Sequence, residues 1–419
     1  MNGVFHVSPF TYHALLLALS AAAADWPAYM HDNQRSGVSD EQLDQALALA
    51  WVYPRTQPPA RAWADEAKFD YYVGSARQQP LKPRLVFDGV NHVVAAGNLV
   101  FFGSCTEHTV NCLDATTGQL KWSFFTDGPV RLAPTFAGGR VYAGSDDGGA
   151  YCLEAATGAL LWKYTAATDN RLLPNNGQFV SPFAVRSAVA VEDGVAYFAA
   201  GFLPSEGVYL CAVDALTGRR TTGRHWQQFF LNQLSLQGYV LLSPTRVYVP
   251  GSRSNPWYFD RATGALLGQC RSDALGTFAL LAGNSLFYGP AARAGAAIRE
   301  EGVAYYTGNA LVVTTNCTYL LSDTSLCALA RPSRTNVWTK PANYPYALIL
   351  AGQTLYAGGQ NEVAAFNAGN GEKLWTGRVR GQAGGLAVAN GKLYVSTDAG
   401  LIHAFARDKA KSQSSWTLY

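Results

Sequence analysis

The chain has 419 residues, 48% hydrophobic and 15% charged by type, with a formal net charge of +3. That excess is small and no dense Lys/Arg stripe accompanies it, which excludes a nucleic-acid surface. The 41 glycines, 22 tyrosines and 20 phenylalanines suit short strands punctuated by glycine, and beyond the N-terminal segment no apolar run is long enough to span a bilayer.

Tyr12-His-Ala-Leu-Leu-Leu-Ala-Leu-Ser-Ala-Ala-Ala-Ala-Asp25 is a short apolar run ending in small residues. A cut after Ala24, with Ala22 two positions before it, fits a signal peptidase site. Residues 1–24 therefore read as a signal peptide and 25–419 as one domain, periplasmic or secreted. Residues 1–11 carry no Lys or Arg, a departure from the usual charged start.

Asp40 to Leu47 reads as a single helical turn, Leu49–Tyr53 as a strand and Pro54–Lys68 as a surface loop. The first full repeat begins near Pro83. It holds Leu85–Phe87, two strands in Asn91–Ser104 around a glycine turn, then Thr109–Asp114 and Leu120–Phe125. Four short strands per unit is a propeller-blade pattern. The next unit runs from Pro134 to Tyr164, and the Cys112-to-Cys152 spacing matches one blade. A long insertion, Thr165 to Ser187, precedes the strand Ala196–Gly201. Further units hold Gly238–Pro250 with Trp257–Asp260, then a weaker stretch over 277–340. Leu355–Phe366 and Leu393–Phe405 return to regular spacing.

Third strands are readable at 112, 152, 211, 258, 327, 364 and 403. Strands around Trp26, Trp51 and Trp63 are expected to supply an eighth unit, and the N-terminus to complete the last one, covering an edge that would otherwise invite pairing. The expectation is all-β: an eight-bladed propeller of four-stranded antiparallel blades, with seven blades as the alternative.

One phrase recurs. It is Leu113-Asp-Ala-Thr-Thr-Gly-Gln-Leu-Lys-Trp122 and Leu153-Glu-Ala-Ala-Thr-Gly-Ala-Leu-Leu-Trp162, with looser copies at Val213–Gly218, Phe259–Gly264 and Phe366–Trp375. Asp114, Asp214 and Asp260 can bond backbone groups of their own turns. Gly118, Gly158, Gly218, Gly264 and Gly371 can take a positive φ. Trp122, Trp162 and Trp375 can cover apolar surface between sheets. These repeated residues read as structural, not catalytic.

The repeats resemble the PQQ-like propeller superfamily over nearly the whole chain. The resemblance is narrower to exported bacterial PQQ-like repeat proteins related to the outer-membrane assembly propellers. Trp26–Gly37, Val185–Tyr197, Glu206–Asp214 and Ala357–Phe366 carry it. It implies either a binding scaffold or a quinoprotein dehydrogenase. The dehydrogenases hold PQQ on the axis, with a calcium ion bound by Glu, Asn and Asp, a base Asp, an Arg and a stacking Trp. Many place adjacent cysteines over the cofactor. Adjacent cysteines are absent here, Trp226 is the one comparable Trp, and no residue set matches the calcium ligands. PQQ and calcium are not the favoured reading.

Arg171, Asn175, Asn176 and Arg186 in the insertion, with Glu206 beyond it, form the sharpest ligand-binding candidate. Arg253, Asn255 and Trp257 occupy an analogous place one unit on. Loops of this kind converge at a channel mouth, where Arg and Asn can hold a carboxylate, phosphate or sugar. The competing reading is a polar network that packs long loops together. His31-Asp32 is too small a set for a metal site, and no metal is expected. Glu300-Glu301 precedes a strand and reads as a solvated turn. Cys105 with Cys112, and Cys317 with Cys327, flank turns and are candidate disulfides. Alternatively Cys112, Cys152, Cys211 and Cys327 are small buried residues at one repeat position.

The favoured function is an exported binding or scaffolding propeller with a protein or glycan partner, or a small-molecule ligand in the central channel. The alternatives are a PQQ-dependent oxidoreductase acting on an alcohol or sugar, and a carbohydrate-active enzyme using that channel. Nothing in the residues fixes the oligomeric state.

Overall fold

The computed structural model describes residues 24–54, 57–62, 87–221, 223–251, 254–271, 275–290, 297–303 and 305–408. The expected signal segment, the Trp63 region and the start of the Leu85–Phe87 strand lie outside the described residues.

Eight four-stranded antiparallel blades follow in chain order. Blade 1 spans 93–125, blade 2 135–165, blade 3 190–230, blade 4 241–269, blade 5 278–307 and blade 6 310–341. Blades 7 and 8 share the strand Lys373–Ala389. Its first part pairs with Gln360–Asn367 in blade 7, and its last part pairs with Lys392–Thr397 in blade 8. Leu47–Pro54 is the outer strand of blade 8, paired with Leu401–Arg407, so the two ends of the chain close the ring together.

The eighth blade arises where 277–340 read as one weak unit. That stretch is two blades, 5 and 6. Blade 5 went unseen because its third strand, Ala297–Glu300, and its outer strand, Tyr305–Thr307, carry neither the glycine turn phrase nor a Trp. The N-terminus completes blade 8 and makes no blade of its own. The turn expected at Asp40–Leu47 is not helical: residues 41–44 are irregular and a strand begins at Leu47.

Each blade is covered by two others, so its inner strands must be apolar on both faces. Val195–Ala200 is buried at every position. The outer strand Leu160–Thr165 buries Trp162 and leaves Leu160 and Leu161 exposed. Six tryptophans tie blade to blade. Trp51, Trp122, Trp162, Trp226, Trp338 and Trp375 each donate the indole N–H to a carbonyl of the following blade, at 2.9 to 3.1 Å. Five of the rings lie over Gly118, Gly158, Gly218, Gly371 and Gly264, where a Cβ would collide with the indole. In the same turns Asp114 Oδ1 accepts from the amides of Thr116 and Thr117, both at 2.9 Å, and Asp214 and Asp260 repeat this.

The candidate disulfides do not form. All seven cysteines are free thiols. The register sets Cys112 opposite Phe101 and Trp122, with Cys105 beyond the strand end at the hairpin tip. Cys317 faces Ala330 and Cys327 faces Leu320. Cys112, Cys152 and Cys211 are fully buried; Cys327 is half-buried.

Residues 26–39 form a lace around the axis. Trp26 pairs with Ala95 of blade 1, and Phe136 of blade 2 donates to Pro27 O at 2.7 Å. Asn33 Nδ2 donates to Val191 O of blade 3 at 2.9 Å. Leu242 of blade 4 donates to Asn33 O at 3.0 Å, and Leu281 of blade 5 to Gln34 O at 2.8 Å. Val38–Ser39 lies parallel to Leu350 and Ala351 of blade 7. These partners all sit near the first hairpin turn of their blades. The lace therefore closes the axis on the face that carries those turns, here called the lower face. Arg35 is buried at its centre, donating to the carbonyls of Tyr29, Asp32 and Val240.

Candidate functional site

The opposite, upper face carries the linkers between blades and the loops between second and third strands. The linker between blades 2 and 3, residues 166–189, folds in part as a hairpin of Leu173–Asn175 and Gln178–Val180. Its base is clamped by a buried ion network. Arg186 is fully buried and donates to Asp146 through Nε at 3.0 Å and Nη2 at 2.9 Å. The same Nη2 reaches Asn175 Oδ1 at 2.9 Å. Arg131 Nε donates to Asp146 at 2.6 Å, and its Nη1 lies 3.3 Å from Asp88 and 2.8 Å from Ala60 O. The Arg186 guanidinium packs over the Phe202 ring, 4.2 Å from the centroid.

The two carboxylates of the network are held differently. Burial pushes the Asp146 carboxyl up, but Arg186 and Arg131 outweigh it and leave the group below its usual range. At Asp88 burial dominates over Arg131, and the carboxyl is raised.

Three of the other candidates, Asn176, Arg171 and Glu206, lie here or beside it. Asn176 donates to Arg61 O at 2.7 Å, and Gln178 to Cys105 O at 3.5 Å, so the hairpin is also tied to the N-terminal stretch and to blade 1. Arg171 bridges Asp169 and Glu206, each at 2.7 Å, on the exposed surface. Asn255 and Trp257 belong to blade 4 and take no part in the network. The Asn255 carbonyl accepts from Gln269 at 3.2 Å, and Trp257 packs against the core shared by blades 3 and 4. Arg253 lies outside the described residues. The Glu300 reading is corrected: Glu300 is buried, accepts from Tyr306 Oη at 2.8 Å and faces Arg331 at 3.6 Å. Asp146, Arg131 and Asp88 were missed. A signal existed for Asp146, because Val141-Tyr-Ala-Gly-Ser-Asp146 and Leu393-Tyr-Val-Ser-Thr-Asp398 end alike.

The clamp leaves large apolar side chains in solvent. On the hairpin Phe179 is 66% exposed, and Leu172 beside it is 58% exposed. Phe125, 74% exposed, ends the outer strand of blade 1 on the same face.

On the axis a cavity of about 180 Å³ is lined by Tyr29, Arg61, His92, Asn309, Gln382 and Asp398 among others. Burial pushes the His92 imidazole down to about 4, so it is neutral at pH 7. Small-molecule sites are typically about 300 to 1,000 Å³. Trp226 is held between blades 3 and 4, over Gly264, and cannot stack on an axial ring. Among the described residues no group of three or more His, Cys, Asp and Glu could hold a metal ion. A tricyclic quinone bridged to a calcium ion does not fit these residues.

The fold and its repeats define an eight-bladed PQQ-like propeller. The family model described as outer membrane protein assembly factor BamB matches residues 75–222 and 327–418, more than half of the chain, and the chain belongs to that family. The quinohemoprotein alcohol dehydrogenase of Comamonas testosteroni is 13% identical, with 92% of this chain and 81% of that one covered at a TM-score of 0.63. A europium-containing methanol dehydrogenase is 12% identical, covering 91% and 98% at 0.57. The computationally designed Ika8 protein is 14% identical, covering 78% and 99% at 0.57. At such identities the likeness concerns the fold alone. No curated protein matches the chain in sequence. Among the described residues no helix is long and apolar enough to cross a membrane.

Proposed function

We propose that this chain is an exported, periplasmic or secreted scaffold that binds a polypeptide through its upper face. The observation that carries the reading is the clamped hairpin. Leu172 and Phe179 stay in solvent while Arg186, Asn175, Asn176 and Gln178 fix the backbone beneath them. A rigid element presenting apolar side chains binds without a large ordering cost. The name of the family, an outer membrane assembly factor, is in keeping with a scaffold in that compartment.

The test is site-specific photo-crosslinking of the full chain in its native cell. A crosslinker at Phe179 is expected to give a discrete protein adduct, and one at Thr117 on the lower face none. Phe179→Asp, introduced with the crosslinker at Leu172, should remove the adduct while the thermal melt stays unchanged. Equal adducts from both faces would sink the reading.

A further inference from the structure

The junctions between blades serve as internal controls for one another. The residue two places after each docking tryptophan sits in the slot between neighbouring blades. Three junctions fill that slot with an aromatic pair: Tyr53 on Phe102, Phe124 on Tyr151 and Tyr164 on Phe198, each with ring centroids 5.7 Å apart. Between blades 3 and 4 the residue is Gln228, whose amide bonds to Thr263 O at 2.9 Å. Between blades 7 and 8 it is Gly377, closed over by Trp375 and Phe405. Between blades 6 and 7 it is Lys340, and there the slot stands open as a cleft of about 740 Å³.

The walls of this cleft are polar on both sides. Asn343, Gln360 and Asn370 offer amides that donate and accept. Lys340 and Lys373 are balanced by Glu362 and Glu372, so the lining favours neither an anion nor a cation. Tyr344 and Phe366 form a buried aromatic floor, edge to face at 5.6 Å, with the Tyr344 hydroxyl fixed on Glu362. Gly371 keeps the lower end clear: a Cβ there would come within 2.7 Å of the Lys340 side chain.

We propose that the blade 6–7 cleft binds a neutral oligosaccharide. Such a chain carries hydroxyls that donate and accept, no net charge and apolar ring faces. The lining supplies the complement of each. The site is separate from the upper-face hairpin and does not depend on it.

Calorimetric titration of the full protein with cellohexaose, maltohexaose and N-acetylchitohexaose tests this, with hexagalacturonate as the charged control. At least one neutral chain is expected to bind. Asn343→Ala should weaken it by about tenfold or more. Lys340→Tyr, which restores the filling seen at Tyr164, should abolish it and leave the thermal melt equal or higher. The proposal is overturned if no neutral chain binds at millimolar concentration. It is also overturned if hexagalacturonate binds more tightly, or if Lys340→Tyr in folded protein binds as well as the parent.

Discussion

Trp162 lies flat over Gly218 and donates its indole N–H to Ala215 O at 3.0 Å, so blade 2 is fastened to the turn of blade 3. The glycine meets two demands at once. Its φ is +67°, and a Cβ would stand 2.7 Å from the ring. Gly177, at φ +76° in the hairpin tip, has only the first demand, with nothing within 4 Å of a Cβ. Gly177→Ala should therefore cost about 1 kcal/mol for backbone strain. Gly218→Ala should cost about 1 to 3 kcal/mol more, because the indole must move. Urea unfolding of both variants reads the difference.

Asp146 and Asp88 predict opposite responses. The Asp146 carboxyl is lowered in the fold, so its contribution is present above the unfolded value of about 4 and is lost as pH falls through the folded one. The Asp88 carboxyl is raised, so stability from that group declines as pH rises from the unfolded to the folded value. At pH 7 Asp146→Asn should destabilise by about 3 to 5 kcal/mol, since buried Arg186 loses its counter-charge and Arg131 keeps only Asp88. Asp88→Asn should cost clearly less. Near pH 3 the gap between the two variants should narrow. Denaturant unfolding at both pH values checks the signs.

The thiols give a direct chemical readout. Cys105, Cys112, Cys152, Cys211 and Cys270 are buried. Burial pushes Cys105 and Cys152 up to about 11 and Cys112 up to about 12. Protein purified without reductant should react slowly with a thiol reagent when native and yield seven equivalents once unfolded. A peptide map showing Cys105 joined to Cys112 would contradict the strand register.

Much of the blade order was legible because one turn needs the same residues each time. Asp114 and Gly118 build a turn that receives Trp51, and Asp214 and Gly218 build the same turn under Trp162. Blade 5 was not legible because its junction with blade 6 uses other chemistry: Arg331 over Phe287, and Arg334 over Tyr306 with a bond to Tyr305 O. The candidate site divided in the same way. Arg186 and Asn175 stood out inside one insertion, whereas Asp146, Arg131 and Asp88 meet them only when the upper-face loops and linkers around blades 1 to 3 pack together. The disulfide expectation failed because hairpin spacing does not say which residues face each other.

The hairpin clamp makes a local prediction. Asn175→Ala removes the acceptor that joins the hairpin to Arg186, at a cost of about 1 to 2 kcal/mol. Asp146 still holds the guanidinium, so the blades should remain intact. Hydrogen exchange should quicken in 173–180 and stay unchanged in Val195–Ala200. Equal protection of 173–180 in the variant and the parent protein would show that Asn176 and Gln178 hold the hairpin without the network.

Glu41 bears on where the exported chain begins. A cut after Ala24 fits the small-residue rule, yet Ala21 and Ala23 satisfy it one residue earlier. The backbone N–H of Ala24 donates to Glu41 Oε2 at 3.2 Å. The same buried carboxylate accepts from the amides of Asn390, at 3.0 Å, and Gly391. A cut before Ala24 would turn that amide into an ammonium group beside Glu41 and make the bond charge-assisted. A cut after Ala24 would remove the donor. The exported protein should therefore begin at Ala24, which intact mass and terminal sequencing can read. Glu41→Gln should then lower the melting temperature more in protein starting at Ala24 than in protein starting at Asp25. A mature chain starting at Asp25, with equal melting losses in both forms, would show that Glu41 serves only the Asn390 turn.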